Sequence, residues 1–154
     1  MDALDETDRA ILAMLTKNAK VGAKAIAETL GLTKTPVYER IRRLEQEGYI
    51  KKYVAVLDGK KMDRGITVFS FVSLEAQKGA LMDHFLNEVM EFKEVRECHV
   101  VGGEFDFLLR IQVRDLDAYY DFAKSKIASL PHMGSVKSAF VLNTTKWESH
   151  QFLP

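Results

Sequence analysis

The apolar residues of this chain change period once, and the change divides it into two differently built parts. Up to residue 48 they recur every three or four positions, the spacing of helices buried along one side. Beyond residue 65 several runs alternate instead, the spacing of strands. With 154 residues, 47% of them hydrophobic, each part can close a small core of its own. No apolar run is long enough to span a membrane, and the acidic start MDALDETDR lacks the basic and apolar regions of a signal peptide. A single cysteine, Cys98, excludes an internal disulfide framework. A cytoplasmic protein is therefore expected.

Asp5-Glu6-Thr7-Asp8 opens the first helix: Asp5 caps it, and the acids of the first turn favour the positive end of the helix dipole. Ile11, Leu12, Met14 and Leu15 form its apolar stripe. Ala23, Ile26, Ala27 and Leu30 mark a second helix, which Gly31 ends as a left-handed cap. Thr33 caps a third, with Pro36 in its first turn, where a missing N–H costs little, and Val37, Ile41 and Leu44 as its core face. Gly48 stops it, and Tyr49 to Val56 then alternates like a strand.

Three short helices with a tight joint between the second and third describe a helix-turn-helix, although a plain three-helix bundle has the same stripes. The outward and flanking residues of the third helix separate the two: Lys34, Thr35, Tyr38, Glu39, Arg42 and Arg43 combine phosphate donors, base-edge readers and an aromatic ring. The chain's 22 basic and 22 acidic residues cancel, but unevenly. Lys17 to Lys52 holds nine basic residues against four acids, whereas the first sixteen residues are acidic. Neutrality thus excludes a uniformly basic coat and leaves a local positive face around the third helix.

Residues 59–65 are a polar connector. Ile66 to Leu74 then reads as a strand and Leu81, Phe85, Leu86 and Val89 as a helix. Val95 to Val101 and the alternating Phe105, Phe107, Leu109, Ile111 and Val113 form a hairpin about Gly102-Gly103-Glu104. Leu116 to Leu130 holds helical spacing and Val136 to Thr145 closes with a fourth strand. The order β-α-β-β-α-β is ferredoxin-like. Two helices cover one face of such a sheet. Both faces of the first strand are substantially apolar, Thr67, Phe69, Phe71 and Ser73 on one and Ile66, Val68, Val72 and Leu74 on the other, so a homodimer is expected to cover the second.

Three segments together, Leu4-Asp-Glu-Thr-Asp-Arg-Ala-Ile-Leu12, Gly31 to Ile50 (GLTKTPVYERIRRLEQEGYI) and Glu97 to Leu109 (ECHVVGGEFDFLL), strongly resemble the Lrp/AsnC family, the leucine-responsive or feast/famine transcriptional regulators. The resemblance runs from about Leu4 to Lys146. It implies an α+β chain: an N-terminal (winged) helix-turn-helix domain at residues 1–50, a strand and linker at 51–65, a ferredoxin-like βαββαβ sandwich domain for effector binding and oligomerisation at 66–146, and a tail at 147–154. It implies a sequence-specific regulator that binds double-stranded DNA, without enzymatic activity or a cofactor, and a homodimer assembling into an octamer or similar ring.

Carried over residue by residue, the recognition helix matches Lys34 to Glu47. Thr35, Tyr38, Glu39 and Arg42 then lie near bases or the groove wall, and Lys34, Arg40 and Arg43 nearer phosphates. The effector, usually an amino acid, binds between dimers near the turn Gly102, Gly103, Glu104, Phe105 and Asp106. Glycine-turn N–H groups suit an α-carboxylate, and Asp106 an α-ammonium. The same turn also serves simply to close a hairpin. The last strand of the family often carries two hydroxyl residues two apart; here they are Val136 and Ser138, so one polar partner is lost. Glu104 adds a negative charge beside Asp106, pointing either to a cationic effector or to a degenerate site.

His84, His99, His132 and His150 have no ligand spacing, so no metal site is expected. Cys98 and His99 adjoin on one strand and face opposite ways. Trp147 and Phe152 lie in the tail. The rival readings are an effector-independent regulator and an enzyme similar to this family, such as a tetrapyrrole decarboxylase using His99 and Arg110; the enzyme gives no reason for basic residues to cluster on one helix.

Overall fold

The computed structural model describes residues 4–76 and 79–146, and the chain divides into two compact units, Met1–Val56 with the residues from Thr145 onward, and Leu57–Thr144. Trp147, His150 and Phe152 lie outside the described residues.

The first unit is built from α1 (Glu6–Lys17), α2 (Ala23–Leu30) and α3 (Lys34–Gln46). Asp5 and Asp8 form a reciprocal capping box at the start of α1, the Asp8 N–H donating to Asp5 Oδ1 at 2.7 Å and the Asp5 N–H to Asp8 Oδ2 at 3.2 Å. Gly31 adopts φ 66°, where an added Cβ is disfavoured, and so lets the chain reverse between α2 and α3. Thr33 holds the N-cap position of α3, but its side chain makes no capping hydrogen bond. The apolar stripes meet as expected: Ile11, Leu12, Leu15, Ile26, Ala27, Val37 and Leu44 are buried, with Met14, Leu30 and Ile41 packed around them. Burying each large aliphatic side chain contributes about 1.5–3 kcal/mol.

The strand expected over residues 49–56 does not form. Tyr49 and Ile50 pack on the helical core, and residues 51–57 belong to neither helix nor sheet. A strand exists only by pairing, and alternation supplies suitable side chains without supplying a partner. Tyr53 instead donates its hydroxyl to Glu45 Oε1 at 2.8 Å.

The second unit holds β1 (Ile66–Leu74), α4 (Gly79–Met90), β2 (Val95–Val100), β3 (Phe107–Val113), α5 (Leu116–Phe122, continued by a π turn over Ala123–Ile127) and β4 (Met133–Phe140). The sheet order is β2-β3-β1-β4, antiparallel throughout, which is the ferredoxin-like arrangement. Val68, Ser70, Val72 and Leu74 alternate inward on β1, beside Phe107, Leu109, Ile111 and Val113 on β3. Against that face pack Phe85 and Val89 of α4 and Phe122 and Ile127 of α5, with Phe85 stacked on Phe107 at 4.4 Å between ring centroids. Two boundaries differ from expectation. β3 starts at Phe107, because Phe105 stays in the turn with its ring 5.2 Å from that of Phe71. β4 spans Met133–Phe140 rather than 136–145, since β1 pairs it only from Leu74 back to Val68.

Candidate functional site

The exposed face of α3 carries Lys34, Thr35, Tyr38, Glu39 and Arg42, directed away from the buried Val37 and Leu44. Tyr38 is 59% exposed, a large ring left in water. Lys34 and Arg42 have no acidic partner among the described residues.

Arg40 and Arg43 are placed differently. They stand one turn apart on the edge of α3 nearest α1, and both are taken by acids there. Arg40 Nη1 lies 2.6 Å from Asp5 Oδ2 and 2.8 Å from Asp8 Oδ1, and Arg43 Nη2 lies 2.5 Å from Asp8 Oδ2. The hydrogen bond to Asp8, joined by that to Asp5, holds the Arg40 proton still more firmly than in an ordinary arginine. The Asp8 N–H and then Arg40 hold the Asp5 carboxyl below the usual carboxylate range. In the sequence Asp8 stands out only as a first-turn acid. Its spacing from Asp5 is the available signal, and the partners it reaches, 32 and 35 residues away, are not readable from spacing.

The turn between β2 and β3 exposes Gly102, Gly103 and Glu104, with Gly103 at φ 130°. Among the described residues the backbone N–H groups of Gly102, Gly103 and Glu104 find no protein acceptor. The turn is tied to β1: the Asp106 N–H donates to Val72 O at 2.9 Å, the Leu74 N–H to Asp106 Oδ2 at 2.8 Å, and Ser73 Oγ to Glu104 O at 3.2 Å. Asp106 is 5% exposed, so its carboxylate is part of the frame under the turn. Glu104 points outward to Lys137 of β4, whose ammonium also lies 5.0 Å from the centre of the Phe105 ring.

Ser138 sits on the helix side of β4, level with Ser70 of β1. Its Oγ is 3.1 Å from Ser70 Oγ and 2.5 Å from the Tyr119 hydroxyl, and Ser70 and Tyr119 close the triangle at 3.2 Å. Neighbouring Lys137 alternates to the opposite face, where it meets Glu104. The structure therefore gathers Gly102 to Asp106 but does not bring the Ser138 hydroxyl to them. Ser70, Tyr119 and Lys137 were missed in the sequence, where nothing distinguishes them from other sheet and helix positions.

On the open face of the sheet, Glu97 Oε1 lies 2.6 Å from Arg110 Nη2 and Glu97 Oε2 is 3.4 Å from His99 Nε2. Cys98 faces the helix side, half-buried, and burial pushes its thiol up. No group of three or more His, Cys, Asp or Glu gathers among the described residues to hold a metal, and none of their helices is long and apolar enough to cross a membrane.

Comparison with known proteins agrees with this division. Residues 67–150 match the profile of the Lrp/AsnC ligand binding domain, and residues 4–51 that of a winged helix-turn-helix DNA-binding domain. The Bkd operon transcriptional regulator of Pseudomonas aeruginosa is 35% identical over 149 residues, 97% of each chain. Among solved structures, the L-Met complex of a Neisseria meningitidis transcriptional regulator superposes with a TM-score of 0.90 at 28% identity, covering 95% of this chain and 94% of that one. An AsnC family transcriptional regulator from Agrobacterium tumefaciens superposes at 0.89 with 33% identity, covering 96% and 95%.

Proposed function

The chain belongs to the Lrp/AsnC family of DNA-binding transcriptional regulators, and from that premise we propose that it reads duplex DNA with Lys34, Thr35, Tyr38, Glu39 and Arg42 and answers to an amino-acid effector at the Gly102–Asp106 turn. The single observation behind the DNA assignment is the exposed face of α3, which keeps two cations without an acidic partner among the described residues and a solvent-exposed tyrosine, while its neighbouring arginines are neutralised. Arg40 and Arg43, expected near phosphates, are engaged by Asp8. Phosphate contact in this reading rests on Lys34 and Arg42.

The effector assignment is supported by the unfilled N–H groups of the turn, which suit a carboxylate, and by a relative crystallised with L-Met. Asp106 acts by holding the turn. Direct contacts fall to Gly102, Gly103, Glu104 and Phe105, while the Ser138 hydroxyl is engaged by Ser70 and Tyr119 on the helix side of the sheet. A homodimer covers the open face of the sheet, where Thr67, Phe69, Phe71 and Leu108 are only half-buried in one copy, and dimers assemble into an octamer or similar ring. The protein works on DNA in the cytoplasm and catalyses no reaction.

The test is a salt-dependent gel shift on the region upstream of its own coding sequence. Lys34→Ala and Arg42→Ala together are expected to abolish the shift while light scattering reports an unchanged oligomer. Unchanged binding overturns the groove assignment.

A further inference from the structure

Asp8 is 1% exposed, a rare place for a carboxylate unless charged partners accompany it. The capping box uses its Oδ2 toward the Asp5 N–H, which alone does not require burial. The burial comes from α3: Oδ1 takes Arg40 and Oδ2 takes Arg43, so the two oxygens grip two successive turns of that helix. Asp5 Oδ2 takes the same Arg40 nitrogen, making a network of two acids and two arginines with no net charge. Arg40 and Arg43 border the core face of α3 on one side and the face of Thr35, Tyr38 and Arg42 on the other. Rotating α3 by one residue, about 100°, would break both grips and leave a buried charge unpaired.

We propose that Asp8 is a positioning residue for DNA reading: through Arg40 and Arg43 it sets the rotation at which α3 presents Thr35, Tyr38 and Arg42, and the two arginines bind Asp8 rather than phosphate. The proposal rests on α3 being the helix that enters the groove. It gives the positive charge of the segment a division of labour that counting residues hides. Two of its arginines orient the helix, and Arg42 with Lys34 supplies the electrostatic contact.

The test uses the full chain, a duplex of its own upstream region and a random-sequence duplex of equal length, each titrated across salt. Replacing a phosphate ligand lowers the slope of log K against log salt by about 0.9. Arg42→Gln is expected to do so. Arg40→Gln and Arg43→Gln are expected to leave the slope unchanged while reducing the preference for the upstream duplex about tenfold, the size of a coupling between contacting charges. Asp8→Asn is expected to reduce the preference similarly and to add nothing in an Arg43→Gln background. If Asp8→Asn does not fold, the arginine variants, whose side chains are partly exposed, decide the matter alone. A slope lowered equally by Arg42→Gln and Arg43→Gln overturns the role of Asp8 and leaves the groove reading intact. Additive losses from Asp8→Asn and Arg43→Gln overturn it too. A slope unmoved by Arg42→Gln overturns the groove reading and this proposal with it.

Discussion

Glu104 and Lys137 neutralise each other across the rim of the hairpin turn, with Glu104 Oε1 2.7 Å from Lys137 Nζ. In the sequence Glu104 stands as an extra negative charge beside Asp106, which points either to a cationic effector or to a degenerate site. In the folded turn that charge is met by an ammonium supplied from β4, 33 residues onward, so the proposed effector need carry no net charge. Lys137→Ala is therefore expected to move selectivity toward cationic amino acids. Calorimetry with methionine and with arginine checks it: the arginine-to-methionine affinity ratio should rise several-fold at low salt and less at high salt, because the pair is exposed and screened. An unchanged ratio places the effector away from Glu104.

Asp106 bears on stability before it bears on ligand. Its Oδ2 accepts the Leu74 N–H at 2.8 Å in a buried setting, so Asp106→Ala orphans that donor. The expected loss is about 1–3 kcal/mol, or a fall in Tm of roughly 5–15 °C. Loss of effector heat in that variant alone would not identify a ligand contact. Gly102→Ala is the cleaner probe, since a Cβ at Gly102 meets nothing within 4 Å. It is expected to keep the wild-type Tm and weaken effector binding by at least several-fold, read by melts and calorimetry on the same samples.

The helices were legible because their ends are written in residue types with local effects: Asp5 at a cap, Gly31 and Gly48 at φ 66° and 78°. The sheet was legible because its burial alternates, as on β3. What spacing does not carry is the partner distant in the chain. The resemblance puts Arg40 and Arg43 near phosphates, but a helix face does not say which acid stands opposite, and Asp8 is supplied by another helix. Ser138 read as part of the effector site, yet its hydroxyl closes a triangle with Ser70 and Tyr119 on the helix side. The segment 49–56 read as a strand, yet no neighbouring strand pairs with it. The turn 102–106 was found by its glycines, whereas its three ties to β1 depend on register.

Gly134 shows the same limit at a position the sequence left unremarked. The pairing of β1 with β4 slips between Ser73 and Leu74, and there the two backbones come close. A Cβ on Gly134 would stand 2.9 Å from Leu74 O and 3.0 Å from Ser73 O, neither of which is a flexible side chain. Gly134→Ala is expected to cost about 1–3 kcal/mol through forced backbone shifts, against a few tenths for an alanine in an open strand. Urea unfolding with an unchanged m-value and a lower midpoint would confirm it. A midpoint equal to wild type would mean that the bulge relaxes freely.

Acid stability should depend on Glu94. Burial by itself would push its carboxyl up, but Lys126 Nζ, 2.9 Å from both oxygens, then its own backbone N–H and the charge of Arg64 more than reverse this and hold it below its ordinary 4.5. A carboxyl held low in the folded state binds fewer protons there than in the unfolded chain. Its contribution is thus complete above about pH 4.5 and is lost as pH falls through the folded value. Lys126 is 38% exposed, so screening limits the pair to about 1 kcal/mol or less. Glu94→Gln leaves Lys126 lying 5.5 and 5.8 Å from the Phe92 and Phe122 rings, which keeps the ammonium placed without its carboxylate. The variant is expected to melt a few degrees below wild type at pH 7 and to converge with it at pH 3, in melts at matched ionic strength. An equal gap at both pH values would show that the pair contributes packing alone and none of the acid dependence.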